Sequence, residues 1–145
     1  MGRLLDLVER YYAACNTADR DGLRNAFTAD AAHFFTRLPA VRGAENIANL
    51  WAAQQQRLAA RWTVEHGIES GDEAVIEWTM TWIDPATGHS RIDRGTEWYA
   101  FVGDRIDEIR AYHHSDAANR SGDLMGFDHK GRGDTMLDEP ARCSG

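Results

Sequence analysis

Trp62-Thr63-Val64-Glu65-His66-Gly67-Ile68, followed after the turn Ser70-Gly71-Asp72 by Ala74 to Ile83, is where the chain changes its hydrophobic period from 3.6 to 2. Trp62, Val64, His66 and Ile68 alternate with Thr63, Glu65 and Gly67, and Ile76, Trp78, Met80 and Trp82 alternate with Glu77, Thr79 and Thr81. Such alternation predicts two strands with one face buried, joined by a tight hairpin. Downstream, Asp84-Pro85-Ala86-Thr87-Gly88 turns the chain into a third strand, Arg91 to Val102, and Gly103-Asp104 into a fourth, Arg105 to His114. These four strands form an antiparallel meander. Upstream, Leu4, Leu5, Val8, Tyr11, Tyr12 and Cys15 make the apolar stripe of a helix over about Arg3 to Asn16. A short helix over Asp21 to Phe27, an extended run over Ala31 to Thr36, a turn or short return at Pro39 to Gly43, and a third helix over Glu45 to Ala60 follow. Helices first and strands last give an α+β fold, with three helices gathered on one face of a curved antiparallel sheet.

The 145 residues, 43% hydrophobic and 27% charged, suit one domain with one core. We expect a single domain over residues 1–128 and a flexible C-terminal tail over 129–145, with the Leu124 to Phe127 cluster folding over a sheet edge. Asp and Glu outnumber Lys and Arg by 23 to 16, so the net charge of −7 argues against nucleic acid as partner. No apolar run approaches the roughly 20 residues of a membrane span, and no secretory signal is visible at Met1 to Asp6. Two cysteines, Cys15 and Cys143, make neither a disulfide framework nor a metal spacing, which favours a cytoplasmic compartment.

Four segments carry a resemblance: Val8 to Asn16 (VERYYAACN), Phe27 to Phe35 (FTADAAHFF), Arg42 to Ile47 (RGAENI) and Gly103 to Tyr112 (GDRIDEIRAY). They resemble the nuclear transport factor 2-like superfamily and, within it, the SnoaL-like polyketide cyclases, ketosteroid isomerases and limonene epoxide hydrolases. The resemblance implies a cone-shaped barrel, a deep pocket between sheet and helices, and a homodimer. It places Tyr11 where the isomerases keep an oxyanion-hole tyrosine. It places Glu97 where they keep the protonated acid of the same hole and where the cyclases keep a pocket histidine. Two departures matter: the isomerases' general-base aspartate would lie near Phe35, and the catalytic aspartate of cyclases and epoxide hydrolases falls on Ala111. A fold shared by so many chemistries leaves function to the site residues.

Strand parity sorts those residues. Ile109, Ala111 and His113 share a face, which carries His113 inward with the apolar set. Gly95, Glu97, Tyr99 and Phe101 share a face, so Glu97 sits among aromatics, where burial favours a neutral carboxyl and raises its pKa; the other reading pairs it with Arg94 or Arg110 outside. His33 lies beside Phe34 and Phe35 on the parity of the isomerases' base. His66 is inward by alternation with Trp62 and Val64. Tyr11 and Tyr12 are adjacent, so only one points fully inward. Among five tryptophans, Trp51, Trp62 and Trp78, together with Phe35 and Tyr99, are expected to line a pocket for a hydrophobic or aromatic small molecule. His113 and His114 alternate in direction and no helical His spacing occurs, so neither a metal nor another cofactor is expected.

These residues predict an enzyme that needs no cofactor and works by proton transfer in an aromatic pocket, as an isomerase, cyclase or lyase on a carbonyl-bearing compound, a polyketide-like one among the candidates. His33 or His113 would move the proton with Glu97 as partner, and Tyr11 would hold the oxyanion. Two alternatives stand beside it: a binding module with the same pocket and no catalysis, and a dimeric interaction protein whose pocket is filled by its own tryptophans.

Overall fold

A computed structural model describes residues 2–113, 124 and 126–129 of the chain. His114, Cys143 and the expected tail from 130 onward lie outside the described residues. The elements are α1 (Arg3–Asn16), α2 (Arg20–Asn25), β1 (Phe27–Phe35), β2 (Leu38–Arg42), α3 (Ala44–Leu58), β3 (Arg61–Ser70), β4 (Glu73–Ile83), β5 (Ser90–Val102) and β6 (Arg105–His113). The six strands form one curved sheet in the order β2-β1-β6-β5-β4-β3. The expected meander is the run β3 to β6, antiparallel throughout. The sheet is wider than that expectation by β1, which runs parallel to β6, and by β2, which pairs antiparallel to β1. It is an open sheet with β2 and β3 as edges, not a closed barrel.

Phe27 explains the first difference. Helical spacing assigns it to the second helix, yet it opens β1 opposite Ile106, and the Ile106 N–H donates to the Ala26 carbonyl at 2.8 Å. Its ring meets Tyr11 edge to face at 5.2 Å, deep in the core. Burial of an aromatic ring outweighs the small helical preference of a six-residue segment. The third helix stops at Leu58 because Ala59 turns left-handed at φ 48°.

The core lies between the concave face of the sheet and the helices, with Val8, Tyr11 and Leu23 from α1 and α2, Ile47 from α3, and Ile76, Tyr99 and Ile109 from the strands. Asn16 ties the end of α1 to the start of edge strand β3. Its side-chain amide donates to the Trp62 carbonyl at 2.9 Å, and the Trp62 N–H donates back to its Oδ1 at 2.7 Å. The amide thus satisfies both backbone groups of a residue that has a strand on one side only.

The alternation of β3 does not persist. A bulge between Val64 and His66 puts two consecutive side chains on the outer face, where Glu65 accepts from the Thr79 hydroxyl at 2.7 Å. Beyond it the phase is reversed, so His66 and Ile68 are exposed and Gly67 faces inward against Leu5 and Ile76. The sequence expectation of an inward His66 is therefore overturned by the extra residue. No helix among the described residues is long and apolar enough to cross a membrane.

Candidate functional site

Two rows of residues run across the concave face. Ile76, Glu97 and Ala111 face one another on β4, β5 and β6, and the next row holds Trp78, Gly95 and His113. Gly95 is the gap in this second row. A Cβ there would sit 2.7 Å from Cζ2 of Trp78, 2.7 Å from the Tyr112 carbonyl and 2.9 Å from Cβ of His113. Its absence lets the Trp78 indole reach the His113 imidazole, with ring centroids 5.5 Å apart at 62°. The backbone of His113 is held in turn: its N–H donates to Thr36 Oγ1 at 3.2 Å, and that hydroxyl donates to the Ala111 carbonyl at 3.2 Å.

Glu97 is buried and its two carboxyl oxygens have separate tyrosine donors. The Tyr12 hydroxyl donates to Oε1 at 3.0 Å and the Tyr99 hydroxyl to Oε2 at 2.6 Å. Burial pushes the carboxyl pKa up to about 7, and the bonds from Tyr99 and Tyr12 oppose only part of that rise. Both phenols are pushed well above their ordinary range, first by burial and then by the neighbouring carboxylate, so they stay protonated donors. Glu97 pairs with neither Arg94 nor Arg110; Arg110 reaches Glu108 at 2.6 Å on the outer face.

His33 has no exposed surface. Phe35 stacks on its imidazole at 4.2 Å and 8°, and Trp51 leans on it at 5.3 Å. Burial lowers its pKa to about 3; the Phe34 backbone offsets part of this without being aligned for a hydrogen bond, and the charge of His113 adds to the lowering. This imidazole is neutral throughout the physiological range.

His33, Glu97 and His113 come together on the wall of one cavity of about 210 Å³. Phe35, Trp51, Trp62 and Trp78 line it. Tyr99 stands behind Glu97 and does not reach the cavity, and neither does Tyr11. Tyr11 is buried, turns its hydroxyl toward the Cys15 sulfur and borders a groove along α1 and α2 on the far side. The tyrosine of α1 that meets Glu97 is Tyr12. Sequence reading missed Asp93 and Trp82, which also line the cavity. Parity would have found both, since Asp93 shares the face of Gly95 and Glu97, and Trp82 that of Trp78. Phe127 borders a second cavity together with Glu65 and His66 of the edge strand β3 and with Arg94, Thr96 and Tyr112.

A neutral imidazole, a carboxyl that titrates near neutrality and four indoles around a small cavity can hold a flat molecule and exchange a proton with it. Among the described residues no three of His, Cys, Asp and Glu are grouped to hold a metal ion.

Known proteins agree with this architecture. A protein of unknown function with a cystatin-like fold from Methylobium petroleophilum PM1 is 31% identical, with 96% of each chain covered and a TM-score of 0.69. An LEH-like epoxide hydrolase from M. tuberculosis is 19% identical, with 76% of this chain and 81% of that one covered and a TM-score of 0.68. A protein with a ketosteroid isomerase-like fold from Catenulispora acidiphila DSM 44928, solved in complex with trimethylamine, is 18% identical, with 73% and 83% covered and a TM-score of 0.67. No curated protein matches the chain. Residues 8–109, which run from the tyrosines of α1 to the row before Ala111, match the SnoaL-like domain, and the chain belongs to that family.

Proposed function

We propose that this chain is a small-molecule enzyme in which Glu97 carries a proton to and from a carbonyl-bearing ligand, as in an isomerase, cyclase or lyase. What carries the reading is a single observation: a buried carboxyl on the cavity wall held by two tyrosine hydroxyls, an environment whose burial pushes its pKa up to about 7. As carboxylate, Glu97 removes a proton from carbon next to the carbonyl; the C–H electron pair moves into the enolate and the proton stays on the carboxyl. Returned to another carbon, that proton completes an isomerisation. His33 is too weak a base to take the proton at neutral pH, and as a neutral imidazole its N–H suits the developing oxyanion. His113 lines the same cavity as a second polar contact. Tyr12 and Tyr99 are positioning residues, since they touch Glu97 and not the ligand. A homodimer through the outer face, where Trp98 and Tyr112 are exposed, is part of the same reading.

The test uses 1-indanone in D2O. The protein accelerates loss of the proton signal next to the carbonyl, and Glu97→Gln reduces that acceleration by about 100-fold or more. No acceleration over buffer overturns proton abstraction. The second reading, binding without turnover, draws on Phe35 and Ala111, which leave the cavity without the carboxylates of the resembled enzymes. It predicts saturable binding and no exchange.

A further inference from the structure

The indole N–H groups of Trp51, Trp78 and Trp82 are buried and meet no acceptor among the described residues, and all three side chains line the same cavity. His33, on the same wall, has no hydrogen-bond partner at either ring nitrogen. Buried donors are nearly always satisfied, because losing water without gaining an acceptor costs free energy. The contrast lies on the outer face, where the Trp98 N–H donates to Glu73 Oε1 at 3.0 Å. Three unsatisfied donors around one space define what should fill it, namely a molecule with acceptors.

Two further features narrow its class. Among the described residues lining the cavity the titratable groups are His33, Asp93, Glu97 and His113, so an anionic ligand would meet two carboxyl groups there. The volume of about 210 Å³ is only somewhat above the roughly 150 Å³ that accepts one benzene ring. Trp78 and Trp82 lie four residues apart on β4, about 13 Å along the strand, and Trp51 comes from α3, so one oxygen cannot serve all three.

We infer that the cavity takes an uncharged, flat compound of one or two rings with at least two separated oxygen acceptors, received by the indole N–H groups of Trp51, Trp78 and Trp82. This rests on the cavity being the functional site but not on catalysis there.

The test is binding to the full chain labelled with ¹⁵N, reading the indole N–H signals, assigned with Trp51→Phe, Trp78→Phe and Trp82→Phe. The probes are 1,4-diacetylbenzene, its oxygen-free analogue 1,4-diethylbenzene and the dianion terephthalate. The diketone should bind at least about tenfold more tightly than either analogue, the worth of one good hydrogen bond, and move at least two of the three indole signals while that of Trp98 stays. Equal or tighter binding of diethylbenzene or terephthalate overturns the inference, as does a diketone that fails to bind or leaves the three signals in place. The wild-type spectrum alone decides this if a variant does not fold. Diketone binding with moved indole signals, but no proton exchange on 1-indanone, would sink the catalytic reading and leave this one standing; exchange without the indole response would do the reverse.

Discussion

Glu97 and Ala111 stand directly opposite one another on β5 and β6. The resemblance puts the catalytic aspartate of cyclases and epoxide hydrolases at Ala111, so in this chain a carboxyl enters the same part of the cavity from the neighbouring strand. The methyl group of Ala111 leaves the space that a second carboxyl would occupy, and with it the like-charge repulsion. With no second carboxyl facing it from β6, Glu97 titrates according to its burial and its two tyrosine donors.

Those donors separate two adjacent residues. Both tyrosine bonds favour the ionised carboxyl, so Tyr99→Phe and Tyr12→Phe should each raise the apparent pKa of Glu97 above about 7. The activity profile against pH should move upward, while Tyr11→Phe should leave it in place. A shift with Tyr11→Phe and none with Tyr12→Phe would contradict the geometry.

Stability should depend on pH in a way that two buried groups nearly conceal. Glu97 has its pKa raised from 4.5 to about 7, so between those values the folded state holds the extra proton and stability falls as pH rises. His33 has its pKa lowered from 6.5 to about 3, so in that window the unfolded state holds the extra proton and stability rises with pH. Each slope is about 1.4 kcal/mol per pH unit, and between 4.5 and 6.5 the two cancel. Relative to wild type, Glu97→Gln should therefore gain stability across pH 4.5 to 7, and His33→Phe should gain it as pH falls from 6.5 toward 3. Urea denaturation at several pH values measures both; parallel curves for wild type and variants would refute the shifts.

Gly95→Ala should destabilise the fold by about 1–3 kcal/mol, the cost of overpacking. The added methyl meets the Tyr112 carbonyl at 2.7 Å, and a backbone atom in a central ladder cannot step aside. Trp78 would be displaced toward the cavity, so binding of any cavity ligand should weaken as well. Thermal unfolding and indole fluorescence report the two effects, and an unchanged midpoint would show that the row has slack.

Asn16→Ala removes both bonds to the Trp62 backbone and leaves the edge strand's amide and carbonyl without their partner. A loss of about 1–3 kcal/mol is expected, with faster hydrogen exchange at the Trp62 amide. Asn16→Asp should keep the acceptor for that amide and lose less.

The sequence by itself determined the α+β class and the four-strand meander, and its alternation put Trp62, Trp78 and His113 on inward faces while leaving Glu97 open between the two faces of its strand. Period-2 alternation along an uninterrupted strand carries that information, because each side chain's face follows from counting. Only the tertiary structure decided that His66 faces outward, that Phe27 begins a strand parallel to β6, and that Tyr12 rather than Tyr11 holds Glu97. A bulge adds one residue and reverses every later face, a parallel pairing joins segments about 80 residues apart, and two adjacent residues on a buried helix both point into the core. Each depends on what lies across from the residue in space, and no local pattern contains that.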